Sequence, residues 1–196
     1  MTLSPRETEK VWFDAILKSK HARYIDGVRV IAQDLVAGDE LPPGTVMGKE
    51  EGEEHYGPVT WGEVDTITHG TDEIEVENTE DLWNFQVGDE LDILDEDFES
   101  QDRGDNDLTI TEIDYDDNII TVETLNEDTG SEDYGDVEYV VKKDGTEKGV
   151  FVCLQHIDLS HEDQLVGGIL HGAVYKDRLK NFYDKAEDDL PMIAFE

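Results

Sequence analysis

Between Glu50 and Glu138 the chain carries 33 acidic residues and one basic residue, Arg103. The other 14 of its 15 Lys and Arg lie in the flanks, 1–49 and 142–196. So acidic a segment cannot neutralise its own carboxylates. They must stay in water, and any core has to come from apolar residues set regularly between them. That spacing is two. Ile74-Glu75-Val76-Glu77 alternates, and Val87-Gly88-Asp89-Glu90 turns into the alternating run Leu91-Asp92-Ile93-Leu94, the pattern of half-buried strands. Residues 108–113 and 119–125 alternate around Asp116-Asp117-Asn118, a hairpin signal. Residues 137–141 read as a further strand, residues 79–85 as a single helical turn and residues 95–107 as an acidic loop. Four or five short strands in roughly 80 residues predict a small barrel or sandwich.

The flanks mix charges and read differently. Ser4, Pro5 and Glu7 form a capping-box start, and Val11, Trp12, Ala15 and Ile16 make an apolar stripe, which predicts a helix over residues 5–20. Asp26-Gly27 predicts a turn and residues 28–32 a strand. Pro42-Pro43-Gly44 predicts a turn followed by a short extended piece. Lys142-Lys143-Asp144-Gly145 predicts another turn, before a buried strand over residues 149–154. Gly167-Gly168 disfavours a helix and predicts a strand with close backbone approach. Residues 177–186 read as a short helix, and the apolar tail at 191–195 is expected to pack on something.

The formal charge is −36 over 196 residues. Leu, Ile, Val and Phe nevertheless supply 51 of those residues, above the roughly 20% below which a highly charged chain stays unfolded. The acidity argues against direct contact with nucleic acid or anionic lipid, because phosphates are held by clustered Lys and Arg. No apolar stretch approaches the roughly 20 residues of a membrane span, and no secretory signal is expected. Three causes of such charge stand open: a high-salt environment, mimicry of a DNA backbone, and a cation-binding surface.

Catalytic patterns are missing. No Gly-x-Ser-x-Gly, Gly-x-x-x-x-Gly-Lys or Gly-x-Gly-x-x-Gly occurs, and no His pair has strong ligand spacing. The chain therefore reads as no enzyme, without a cofactor. Asp95, Asp97, Asp102, Asp105 and Asp107 are weak metal candidates, since alternate carboxylates of a loop suit Ca²⁺, but the EF-hand register fails. Loosely held monovalent or divalent cations are expected there instead. Cys153, the one cysteine, reads as a small buried hydrophobe.

Two pieces of the flanks resemble the lambda-like head decoration proteins of tailed phages and viruses. One is Val36-Ala37-Gly38-Asp39-Glu40-Leu41-Pro42-Pro43-Gly44-Thr45-Val46-Met47-Gly48. The other is Gly149-Val150-Phe151-Val152-Cys153-Leu154 followed by residues 165–175, with Leu170-His171-Gly172-Ala173-Val174. Ala173 stands where the family usually has an acid. Val87-Gly88-Asp89-Glu90-Leu91-Asp92-Ile93 is similar to β domains that family members carry as inserts. The resemblance implies a homotrimer on the outer surface of a virion, made in the host cytoplasm. It would clamp the major capsid protein, with an N-terminal arm ordering on the shell. Val11, Trp12, Phe13 and Ile16 then become capsid-interface candidates.

The expectation is thus a mainly β (α+β) chain. Residues 1–60 and 142–196 would form a discontinuous capsid-binding domain with short helices. Residues 61–141 would form an inserted acidic β-barrel or sandwich facing solvent. The expected function is capsid decoration in a virus of a halophilic host, with no direct nucleic acid and no membrane as partner. Two alternatives stand beside it: an adhesion or carbohydrate-binding module, for which Trp83 and Phe85 would be the exposed aromatic pair, and an acidic DNA mimic that inhibits a nucleic-acid enzyme.

Overall fold

The structure is a computed structural model and describes residues 22–30, 40–49, 54–68, 71–96, 107–123, 125, 137–158 and 164–196. It is mainly β. The chain divides into two compact units: Met1–Val59 with Lys148–Glu196, and Thr60–Glu147. The second holds 31 acids against 3 basic residues, a formal charge of −28; the first holds 20 against 12, or −8.

The Thr60–Glu147 unit is a closed barrel of six strands. In chain order these are β5 (Trp61–Thr68), β6 (Glu73–Val76), β7 (Glu90–Asp95), β8 (Leu108–Asp114), β9 (Ile119–Val122) and β10 (Val137–Lys142). Around the barrel they run β10-β5-β6-β9-β8-β7, every pair antiparallel. Alternation does the sorting: Ile74 and Val76 of β6, and Leu91 and Ile93 of β7, are buried, while Glu75 and Glu90 are exposed. Closure removes the sheet edges that would otherwise invite pairing with another chain.

The 3₁₀ turn Thr79–Asn84 packs against β5 and β6 and sends Leu82 and Phe85 fully into the core. Each such burial contributes about 1.5–3 kcal/mol. Between β8 and β9 the turn is closed by Asp114, whose carboxylate accepts the N–H groups of Asp116 and Asp117 at 2.9 and 3.2 Å. Asn118 takes the left-handed conformation, φ 60°, which Asn tolerates better than most residues.

Two expectations for this region change. The eight-residue strand β5 was missing from the predicted set, because Gly62 supplies no apolar side chain and a bulge between Val64 and Thr66 shifts the inward face from Val64 to Ile67. Lys142-Lys143 does not begin a flanking turn: Lys142 ends β10 and is buried.

The other unit has β1 (Arg23–Val30), β2 (Glu40–Leu41), β3 (Val46–Lys49), β4 (His55–Pro58), β11 (Gly149–Cys153), β12 (Ile157–Asp158), β13 (Gln164–Val174) and β14 (Ile193–Phe195). Its main sheet runs β1-β4-β3-β11-β13-β14, and β1 also pairs with β13, so the first five strands form a ring. β2 and β12 pair separately. Leu41, Met47, Phe151, Cys153, Ile157 and Val166 form one core cluster.

Asp26-Gly27 is not a turn. It sits at a register shift inside β1, between Ile25 and Val28, where a bulge takes up one extra residue. The predicted helix at 177–186 also fails: a short 3₁₀ turn, Lys176–Arg178, is followed by Asn181 at φ 47°, and regular α-helix starts only at α1 (Ala186–Asp189). The apolar tail does pack, as β14, parallel to β13 over Gly172–Val174. The predicted helix at 5–20 lies outside the described residues.

Candidate functional site

β3 is the hub of the first unit. Gly48 lies opposite Gly57 of β4 on one side and Gly149 of β11 on the other. β11 in turn runs beside β13, with Val152 opposite Ile169 and Cys153 opposite Gly168. Residues 46–48, 149–153 and 165–174 therefore occupy neighbouring strands of one sheet, although all of Thr60–Glu147 separates β3 from β11. Residues 40–41 pair with β12 in a separate sheet.

The turn before β3 is fixed by its residue types. Gly44 adopts φ 94°, which glycine reaches without steric cost. Its N–H donates to the Cys153 carbonyl at 2.7 Å, and Cys153 N–H donates to the Thr45 carbonyl at 2.8 Å. The Thr45 hydroxyl donates to the Pro42 carbonyl at 2.7 Å. Cys153 is buried, and burial pushes its thiol up to about 11. A neutral thiol in that setting is packing material rather than a nucleophile.

The segment after β13 folds back over this turn. Lys180 N–H donates to the Gly44 carbonyl at 3.0 Å. The Asn181 side chain accepts from Val46 N–H at 3.0 Å and donates to the Val46 and Val59 carbonyls. The Tyr183 hydroxyl accepts from Gly149 N–H at 2.9 Å and donates to the Asp189 carboxylate at 2.6 Å. Burial, then the Asp189 bond, pushes the Tyr183 phenol well above its ordinary value.

The surface of this unit carries exposed apolar side chains and cation–aromatic pairs. Leu165 and Met192 are 72% and 58% exposed. The Lys176 ammonium lies 4.5 Å from the Phe182 ring centre and 3.0 Å from Glu187, and Phe182 packs on Phe195 at 5.1 Å. The Arg178 guanidinium lies 4.3 Å over the Tyr175 ring. Such pairs keep aromatic faces covered while the charged heads stay in water. β14, which carries Phe195 just after Met192, is the last strand of the sheet order. The uncharged run 190–195 was a usable signal for this edge; the cation–aromatic pairs, formed by chain reversal, had none.

On the barrel, two lysines hold four carboxylates. The Lys142 ammonium lies 3.2 Å from Asp89 and 3.5 Å from Asp144. Lys143 bridges Asp92, at 3.3 Å, and Asp107. The hydrogen bond that Lys143 donates to Asp107 raises the Lys143 pKa, with Asp92 adding to it against some desolvation. Of the metal candidates, Asp95 ends β7 and Asp107 is engaged by Lys143; Asp97, Asp102 and Asp105 lie outside the described residues. Among the described residues no group of three or more His, Cys, Asp or Glu is arranged to hold a metal ion. Val11, Trp12, Phe13 and Ile16 likewise lie outside the described residues. Phe85 is fully buried, so the suggested Trp83–Phe85 binding platform loses one of its two rings.

No protein-family model, curated protein or solved structure matches this chain.

Proposed function

We propose that this protein is a capsid decoration protein of a tailed virus with a halophilic host. It binds the assembled lattice of the major capsid protein as a homotrimer and stabilises the shell from outside. The observation that carries the reading is the convergence of its sequence pieces. β3, β11 and β13, which carry residues 46–48, 149–153 and 165–174 of the pieces that resemble the lambda-like decoration family, are neighbours in one sheet although the barrel lies between β3 and β11 in sequence. The division of charge agrees with it. A surface lying on a shell is favoured by moderate charge, and the −8 unit carries that; a solvent-facing knob in brine tolerates −28 because salt screens its repulsion.

On this reading the capsid contact comes from the first unit. Val11, Trp12, Phe13 and Ile16 supply apolar anchors, and weak contacts from three copies add by avidity. The reaction chemistry is nil: the work is adhesion to a site that exists only on the assembled shell. The test is cosedimentation of the purified protein with undecorated capsids in molar salt. Saturable binding at one trimer per three-fold position is expected. No saturable binding, or a different stoichiometry, sinks the reading; competition with DNA for an enzyme would favour the mimic instead.

A further inference from the structure

The segment 180–189 touches both places where the first unit is interrupted by the barrel. Asn181 donates to the carbonyl of Val59, the last residue before the Thr60–Glu147 unit, and also holds Val46 on β3 through both N–H and carbonyl. Tyr183 and Asp189 both accept from the N–H of Gly149, the second residue after that unit, at 2.9 and 3.2 Å. The fit at Gly149 is tight: a Cβ there would lie 3.0 Å from Val46 Cγ1 and 3.1 Å from the Tyr183 hydroxyl. Asn181 holds the left-handed backbone, φ 47°, while its amide reaches Val46 of β3 and Val59 at once.

The barrel ties its own ends together as well. Lys142 N–H donates to the Thr60 carbonyl at 2.9 Å, and Val141 lies opposite Trp61. Each unit therefore closes its own gap. Their charges differ sharply, −28 against −8, so the self-repulsion released as salt is withdrawn falls mainly on the barrel.

We propose that segment 180–189 is a strap that keeps the two halves of the first unit joined at Val59 and Gly149 when the barrel opens, so that falling ionic strength unfolds the barrel alone. The strap works whether or not the protein decorates a capsid. It makes the acidic unit an ionic-strength-sensitive element carried on an insensitive base.

The experiment is hydrogen exchange of the full chain across a KCl series, read separately for barrel amides (Ile74, Ile110, Ile120) and base amides (Val152, Ile169). Barrel protection is expected to vanish at a higher salt concentration than base protection. In Asn181→Gly/Tyr183→Phe the two losses are expected to move closer together, because the base keeps its β1–β13 and β3–β11 ladders but loses its ties at Val59 and Gly149. Asn181→Gly keeps the left-handed backbone and Tyr183→Phe keeps the ring, so each single variant isolates the lost hydrogen bonds. Each is expected to raise exchange at Val46 or Gly149 about tenfold in molar salt, the scale of one or two hydrogen bonds. A single concerted loss in the unaltered chain overturns the proposal. So do two unchanged steps in the double variant, or singles that leave Val46 and Gly149 exchange unaltered.

Discussion

Gly168 shows how one residue type sets a strand's position. A Cβ at that point would sit 2.0 Å from Phe151 Cδ2 and 2.9 Å from the Val152 carbonyl oxygen. The buried ring of Phe151 lies where any other side chain would be. Gly168→Ala is therefore expected to destabilise the first unit by at least about 1–3 kcal/mol, the usual cost of overpacking, measured as a lower urea midpoint with Ile74 exchange unchanged. The close approach was legible from the Gly167-Gly168 pair; the partner ring was not, because it lies on a different strand. Tyr183 gives a pH prediction. Its folded pKa is raised, so its contribution is complete below the ordinary tyrosine value of about 10 and drains away as pH rises above it. Cys153, raised to about 11, begins to act in the same direction at lower pH. Denaturant titrations read at Ile169 are expected to show stability starting to fall near pH 9.0 through Cys153 and falling further above pH 10, with a shallower fall above pH 10 in Tyr183→Phe. An equal slope in both proteins would remove Tyr183 as the cause.

At the scale of elements, the barrel depends on a segment that belongs to no strand. Thr79–Asn84 supplies Leu82 and leads to Phe85, and the Thr79 hydroxyl donates to Asn118 in the β8–β9 turn. Phe85→Ala is expected to cost about 3–5 kcal/mol. Loss of Ile120 and Val140 protection, with Ile169 unaffected, would check that the cost falls on the barrel. The helical turn was legible from residues 79–85 because it breaks the alternation on either side. The strand β5 was not legible, since Gly62 supplies no apolar side chain and a bulge between Val64 and Thr66 moves the inward face to Ile67, which breaks the alternation. Gly62 is instead covered by Val76 and Val140, whose side chains would lie 3.2 and 3.4 Å from a Cβ there. The predicted helix at 177–186 failed for a comparable reason. Local propensity allowed it, but hydrogen bonds from residues 180–183 to β3 and β11 outweigh one or two turns of isolated helix.

For the whole molecule, the formal charge of −36 implies a stability that depends on salt. Thermal melts in increasing KCl are expected to rise by many degrees toward molar salt; a melt unchanged from dilute buffer would count against the halophile reading. Charge distribution and period-two alternation were sufficient, read along the chain, to specify a mainly β protein with an acidic middle, because both depend on residues near one another in sequence. Tertiary structure decided the rest. It closed six strands into a barrel, joined β3 to β11 across the insertion, buried Phe85, and put Asn181 and Tyr183 against the two ends of an interrupted unit. Those outcomes depend on which distant groups satisfy one another's hydrogen bonds and fill one another's space. Local pattern carries no record of such partners, and only the folded chain selects them.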